Sequence, residues 1–398
     1  MYQRLLTVVL SVVLLAGSAF ATTTHKKRRH VVRSTVAAAK VHRVSYTPTV
    51  STPPRLLTTR PTLPRKRVVG SRISPWTSPT FADSTEGDHV DGEDLMVRRA
   101  AVQAIGPYNG AVIVADPNSG RILSVVNQKL AYTGAFEPCS TIKIVAALAG
   151  LSDGIINQDY SLRLTKHHSI YLTEALAHSN NAYFASVGER LGYDKIVQYA
   201  QMFGLGEKAG LNIDSEQPGL IAPVPPSDGL GMMTSFGEGF SMTPMELTAI
   251  VSAVANGGTL YYLQHPNSLA EIDQFVPQVK RQLDIAQFLT DIRPGMEGAV
   301  EYGTARRANY SATEPIFGKT GTCTDNRTPT HLGWFGSYNE VAGRKLVVVV
   351  LLTGGHSVSG PVASGIAGNV YKNLSDQNYF AQAAPQTPPT ALISTHAY

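Results

Sequence analysis

Cysteine is nearly absent from this chain, with two residues in 398. That scarcity excludes a disulfide-dense scaffold, a zinc ribbon and an iron–sulfur protein. Long hydrophobic runs are equally rare. Only Leu5 to Thr24 is uncharged and apolar enough to touch a bilayer, so a polytopic membrane protein is excluded. There is no H-E-x-x-H and no C-x-x-C, and His167-His168 has no third partner at ligand spacing. No metal or other cofactor is implied. Negative charge is missing from one whole segment. From Thr22 to Ala82 there are thirteen Lys/Arg and no Asp or Glu, whereas all 29 acids lie from Asp83 onward. The net charge of +5 therefore belongs to the N-terminal arm, and the body is acidic. Nucleic-acid binding by the body is disfavoured on this ground.

The N-terminus has the layout of a secretory signal: Arg4, an apolar centre, then Ala19-Phe20-Ala21. Residues 1–21 are expected to act as a signal peptide or membrane anchor, placing the protein in the periplasm or on the outer face of the cytoplasmic membrane. Residues 22–82 are rich in Pro, Thr and Arg, and their prolines break any long element. They read as an extended basic linker, either a spacer or an attachment to anionic wall polymer or lipid headgroups. Residues 83–376 hold one domain-sized block, and residues 377–398 read as a disordered tail.

Within the block, Gly110–Ala115 and Arg121–Val126 are strand-like, separated by the hairpin turn Asp116-Pro117-Asn118-Ser119-Gly120. Helices are expected over 141–151, 182–192, 193–203 and 361–374, with another opened by Thr243-Pro244. Three late strands are expected at 315–322, 332–338 and 345–353, the last apolar on both faces and hence buried. Strands at both ends with helices between them predict an α+β fold: an antiparallel sheet flanked by helices.

Ser140-Thr141-Ile142-Lys143 opens a helix. Positions i and i+3 share a helix face, so a lysine of depressed pKa could take the proton of the serine. Alone, this pattern also fits an N-cap serine beside a solvated lysine. Ser179-Asn180-Asn181 follows 39 residues later, in a polar break before a helix. Lys319-Thr320-Gly321-Thr322 lies on a strand 140 residues beyond Ser179. Gly321 has no side chain, so a substrate backbone can approach the strand there, and Lys319 offers a positive charge for a carboxylate.

These three pieces in this order resemble the motif set of the penicillin-binding proteins and serine β-lactamases. The resemblance runs from about Gly110 to Leu374. Phe136 to Lys143 is similar to "EPGSTFK". Thr243-Pro244-Met245-Glu246-Leu247 and Ala255-Asn256-Gly257-Gly258 are similar to "TPLQL…ANGG". Glu301 to Ala305 and Trp334-Phe335 also fit. The pattern is nearest to the transpeptidase domain of class B penicillin-binding proteins, and the fold expected is the β-lactamase/transpeptidase one.

The resemblance implies roles. Ser140 would attack the carbonyl between the two terminal D-alanines of a peptidoglycan stem peptide, with Lys143 as general base. Ser179 and Lys319 would pass a proton to the leaving D-alanine, and Asn181 would orient the peptide. Thr320 and Thr322 would bind the terminal carboxylate beside Gly321, and the N–H groups of Ser140 and Thr322 would form the oxyanion hole. β-Lactam antibiotics would acylate the same serine. The nucleophile helix and the KTG strand face each other in this fold. Certain class A carbapenem-hydrolysing β-lactamases carry a cysteine pair at matching positions, so a Cys139–Cys323 disulfide is implied. Two departures stand out: Cys139 replaces the usual Gly before the nucleophile, and the usual "GQG" reads Gly237-Glu238-Gly239. The motifs leave open hydrolysis of the acyl-enzyme, as in a D,D-carboxypeptidase or β-lactamase, and a catalytically silent β-lactam-binding scaffold.

Overall fold

A computed structural model describes residues 76–325, 328–381 and the backbone of 392–393. The signal or anchor at 1–21, the linker up to residue 75 and most of the tail lie outside the described residues. Among the described residues, no helix is long and apolar enough to cross a membrane.

The centre is a five-stranded antiparallel sheet built from both ends of the body. Its strands are β1 (Gly110–Ala115), β2 (Ile122–Val126), β3 (Ile316–Asp325), β4 (Thr330–Val341) and β5 (Arg344–Gly354), in the order β2-β1-β5-β4-β3. The β1–β2 turn closes through its own side chains. The Asp116 carboxylate accepts from the Asn118 N–H at 2.9 Å and the Ser119 hydroxyl at 2.6 Å, and Gly120 takes φ +75°.

Strand β5 is buried on both faces, as its unbroken apolar run requires. Val347, Val349 and Leu351 enter one core, and Leu346, Val348, Val350 and Leu352 enter the other. Each buried valine or leucine contributes about 1.5–3 kcal/mol of transfer free energy, so this strand anchors both layers. Helices α1 (Leu95–Ile105) and α6 (Gly360–Asp376) cover the second core. The first is closed by α2 (Lys143–Ser152), α3 (Asn181–Leu191) and α4 (Pro244–Asn256). Helix α4 begins with a capping box: the Thr243 hydroxyl accepts from the Glu246 N–H, and the Glu246 carboxylate accepts from the Thr243 N–H. The expected α+β architecture is therefore the observed one.

Among the described helices of ten residues or more, two have no counterpart in the sequence expectations. Helix α1 is capped by Asp94, which accepts from the N–H groups of Met96 and Val97. Helix α5 (Leu289–Glu301) carries Pro294 inside it. Its glycines serve packing: a Cβ on Gly295 would lie 2.6 Å from Leu176 Cβ, in the short helix Leu172–Ala177. The body also reaches past both expected ends. Phe81 bridges to Tyr108, the Thr77 N–H donates to the Pro329 carbonyl at 3.1 Å, and Tyr379 and Phe380 are buried.

Candidate active site

Strand β3 is an edge strand, and its outer side faces the 3-10 turn Cys139–Ile142 that leads into α2. The approach is close. A Cβ on Gly321 would lie 3.0 Å from the Pro138 carbonyl and 3.2 Å from Cys139 Cβ, so only glycine leaves this gap open. The turn is held from several sides. Thr141 donates its N–H and its hydroxyl to the Pro138 carbonyl, and Trp334 Nε1 donates to the Glu137 carbonyl at 3.1 Å. A disulfide joins Cys139 to Cys323, 184 residues apart in sequence.

Lys143 and Ser140 meet one helical turn apart. Lys143 Nζ donates to Ser140 Oγ at 2.7 Å, to Asn181 Oδ1 at 2.7 Å and to Ser179 Oγ at 3.2 Å. Asn180 caps α3 by accepting from the Tyr183 N–H, which leaves its neighbours to face Lys143. Ser179 takes φ +56°, a left-handed conformation that points its hydroxyl toward the lysine. Asn181 is exposed, and its Nδ2 has no protein partner among the described residues.

Lys143 is fully buried, with the rings of Phe184 and Phe236 each 5.7 Å from Nζ. Burial first, and the nearby charge of Lys319 second, pull its pKa down to about 6. Lys319 is also fully buried, and burial lowers its pKa to about 7. At neutral pH Lys143 is mostly a free amine; its two hydrogens then serve Asn181 Oδ1 and Ser179 Oγ, and its lone pair is left to accept from the Ser140 hydroxyl 2.7 Å away. The Ser140 hydroxyl has a second contact, donating to the Ser235 carbonyl at 3.4 Å.

The Lys319–Thr322 stretch of β3 carries two hydroxyls. Thr322 is exposed, and its Oγ1 accepts from the Gly360 N–H at 2.7 Å, leaving the hydroxyl hydrogen free to donate. Thr320 Oγ1 lies 2.6 Å from Thr304 Oγ1. Lys319 Nζ donates to the Thr320 carbonyl at 3.1 Å.

The structure thus brings Ser140, Lys143, Ser179 and Asn181 into one hydrogen-bonded cluster, with Lys319 acting on it through its charge. It places Thr320, Gly321 and Thr322 on the strand facing the Cys139–Ile142 turn. Sequence reasoning did not assign Thr304, the Ser235 carbonyl, Phe184 or Phe236. Thr304 lay within a motif-like stretch at 301–305, whereas Ser235 and Phe236 carried no signal beyond preceding Gly237.

The model of the penicillin-binding protein transpeptidase domain matches residues 110–375. The chain belongs to this family. Stage V sporulation protein D of Bacillus subtilis is 30% identical over 314 residues, covering 68% of this chain and 48% of that protein. Peptidoglycan D,D-transpeptidase PbpA of Mycobacterium tuberculosis is 25% identical over 315 residues, covering 63% of each chain. The chain spans from about a quarter to about two thirds of the length of the curated relatives it matches. Among solved structures, penicillin-binding protein A from M. tuberculosis as its ceftriaxone acyl-enzyme superposes with a TM-score of 0.61 at 21% identity. It covers 71% of this chain and 78% of that one. The transpeptidase domain of Burkholderia pseudomallei penicillin-binding protein 3 also gives 0.61, at 18% identity and with 72% and 96% covered. These likenesses identify the fold of this transpeptidase domain.

Proposed function

We propose that this protein is a serine D,D-transpeptidase that cross-links peptidoglycan stem peptides and is acylated by β-lactams at Ser140. The observation that carries the reading is the desolvated Lys143 amine, 2.7 Å from the Ser140 hydroxyl.

Lys143 takes the Ser140 proton as Oγ attacks the carbonyl between the terminal D-alanines. The tetrahedral oxyanion is held by the N–H groups of Ser140 and Thr322. The proton passes through Ser179 and Lys319 to the departing amine, and free D-alanine leaves. An amine of a second stem peptide then attacks the acyl-enzyme, forms the new amide and returns the proton to Ser140. The hydroxyls of Thr320 and Thr322 hold the substrate carboxylate, and Asn181 Nδ2 donates to its backbone carbonyl. The curated relatives named as peptidoglycan D,D-transpeptidases support this reading.

Hydrolysis is the alternative fate of the acyl-enzyme. Glu238 is the carboxylate in question for activating water there. No hydrogen bond links it to Ser140, Lys143 or Ser179 among the described residues. Burial and the charge of Asp228 raise its pKa, which would make it a stronger base, so the missing link to the Ser140 cluster is the observation that counts against a hydrolytic role. An amine acceptor is the better-supported outcome.

The layout proposed with this activity is residues 1–21 as export signal or anchor, a basic tether after them, a catalytic body holding 83–376 together with the packed flanks at 76–82 and 377–381, and then the tail. The protein would work outside the cytoplasm, its basic arm meeting anionic wall polymer or lipid. The deciding assay offers a stem pentapeptide with and without an amine acceptor. Cross-linked product that requires Ser140 supports the proposal. Release of D-alanine with only hydrolysed peptide, even at high acceptor concentration, makes the chain a carboxypeptidase.

A further inference from the structure

Residue 139 occupies a position built for glycine. Its φ is +50°, a left-handed conformation that glycine adopts freely and a residue with a side chain resists. The backbone there cannot be moved out of the way without cost. Gly237 presses on Pro138, where an added Cβ would come within 2.3 Å of the ring, and Gly321 lies against Cys139 Cβ on the other side. Only the disulfide to Cys323 ties this strained residue covalently to the opposing strand.

The bridge also has a particular address. Ser140 follows Cys139 in sequence, and Thr322 precedes Cys323. These two neighbours carry the N–H groups assigned above to the oxyanion. Their amides sit on two elements of distant origin, an edge strand and a 3-10 turn, with no other covalent link between them. A spacing error of about 1 Å between such donors is enough to lose most of their effect on the transition state.

We infer that Cys139 and Cys323 are positioning residues, whose disulfide holds residue 139 left-handed and fixes the separation of the two oxyanion donors. The inference rests on the transpeptidase reading and adds to it a dependence of chemistry on the bridge. Substrate binding through Thr320, Thr322 and Asn181 does not need the bridge. Loss of the bridge should therefore slow acylation and spare the preceding non-covalent complex.

The test compares the oxidised full chain with two bridge-free variants, Cys139→Ala/Cys323→Ala and Cys139→Gly/Cys323→Ala. A fluorescent penicillin serves as probe, with the acylation rate constant and the dissociation constant resolved by stopped flow and Tm measured alongside. The Ala/Ala variant is expected to lose tenfold or more in the acylation rate constant, with the dissociation constant within twofold. The Gly/Ala variant lacks the bridge equally but relieves φ, and is expected to regain only the part of the rate lost to strain at residue 139, staying below the oxidised wild type; full recovery would remove donor spacing from the inference. Wild-type protein reduced with a phosphine at 25 °C should slow as Ala/Ala does and recover on reoxidation, a measurement that stands even if a variant misfolds. Wild-type rates in Ala/Ala or in the reduced protein would overturn the inference, as would losses that follow Tm equally in both variants. Failure of the oxidised wild type to acylate at all would instead overturn the activity on which it rests.

Discussion

Lys143 Nζ lies 2.7 Å from Ser140 Oγ, inside a pocket that leaves the lysine fully buried. Distance and dryness act together: the first allows proton exchange, and the second makes the amine a base at neutral pH. Replacing Lys143 by methionine keeps the volume and removes the base. Acylation by penicillin should fall at least about 100-fold. Tm near neutral pH should not fall, because the folded state no longer has to hold a lysine whose proton the unfolded chain keeps. A pre-steady-state acylation assay with a thermal melt checks both halves.

The two lysines set a pH profile. Lys143 must lose its proton to act, so acylation efficiency at low penicillin concentration should rise through about pH 6. Lys319 must keep its proton to attract the carboxylate, so efficiency should fall through about pH 7. The bound carboxylate favours the Lys319 ammonium, so the saturating rate should keep the acid limb and lose the alkaline one. A profile that is flat from pH 5 to 9 would contradict both assignments.

Ser179 contributes a hydroxyl from a left-handed backbone. Ser179→Gly preserves that conformation and deletes only the hydroxyl. Acylation should drop about 10- to 100-fold, with the circular dichroism spectrum and Tm close to wild type. An unchanged rate would remove Ser179 from the proton path.

Glu246 is a structural carboxylate with three backbone donors: the N–H groups of Thr243, Gly206 and Gly219. Burial nevertheless raises its pKa to about 7. Glu246→Ala would orphan all three donors and should cost at least about 3 kcal/mol in denaturant unfolding. Because the folded pKa is raised, the stability linked to its proton is fully present below the unfolded value near 4.5. It is lost as pH rises through about 7.

Much of this fold was legible in the sequence because local chemistry and tertiary position agree. The Asp116–Gly120 turn, the Thr243-Pro244 helix start and the apolar run of β5 each satisfy their own backbone before any packing is counted. Helix α5 was hidden because Pro294, Gly295 and Gly298 argue locally against a helix, and tertiary contacts with Leu172–Ala177 override them. Helix α1 has a sequence signal in its Asp94 cap, but Arg98 and Arg99 interrupt the apolar pattern that would mark its buried face. The motif residues were legible by order and spacing. What surrounds them was not: Phe184 and Phe236 dry Lys143 from separate segments, and nothing in Cys139 or Ser179 announces a left-handed backbone. The pairing of Cys139 with Cys323 came from resemblance alone, and the structure contains it.

The most direct measurement is intact mass spectrometry of residues 76–398 with benzylpenicillin, followed from minutes to hours, beside Ser140→Ala. The account predicts a persistent penicilloyl adduct on the wild-type protein and none on the variant. An adduct that Ser140→Ala also forms, or one that turns over rapidly with consumption of the drug, would contradict it.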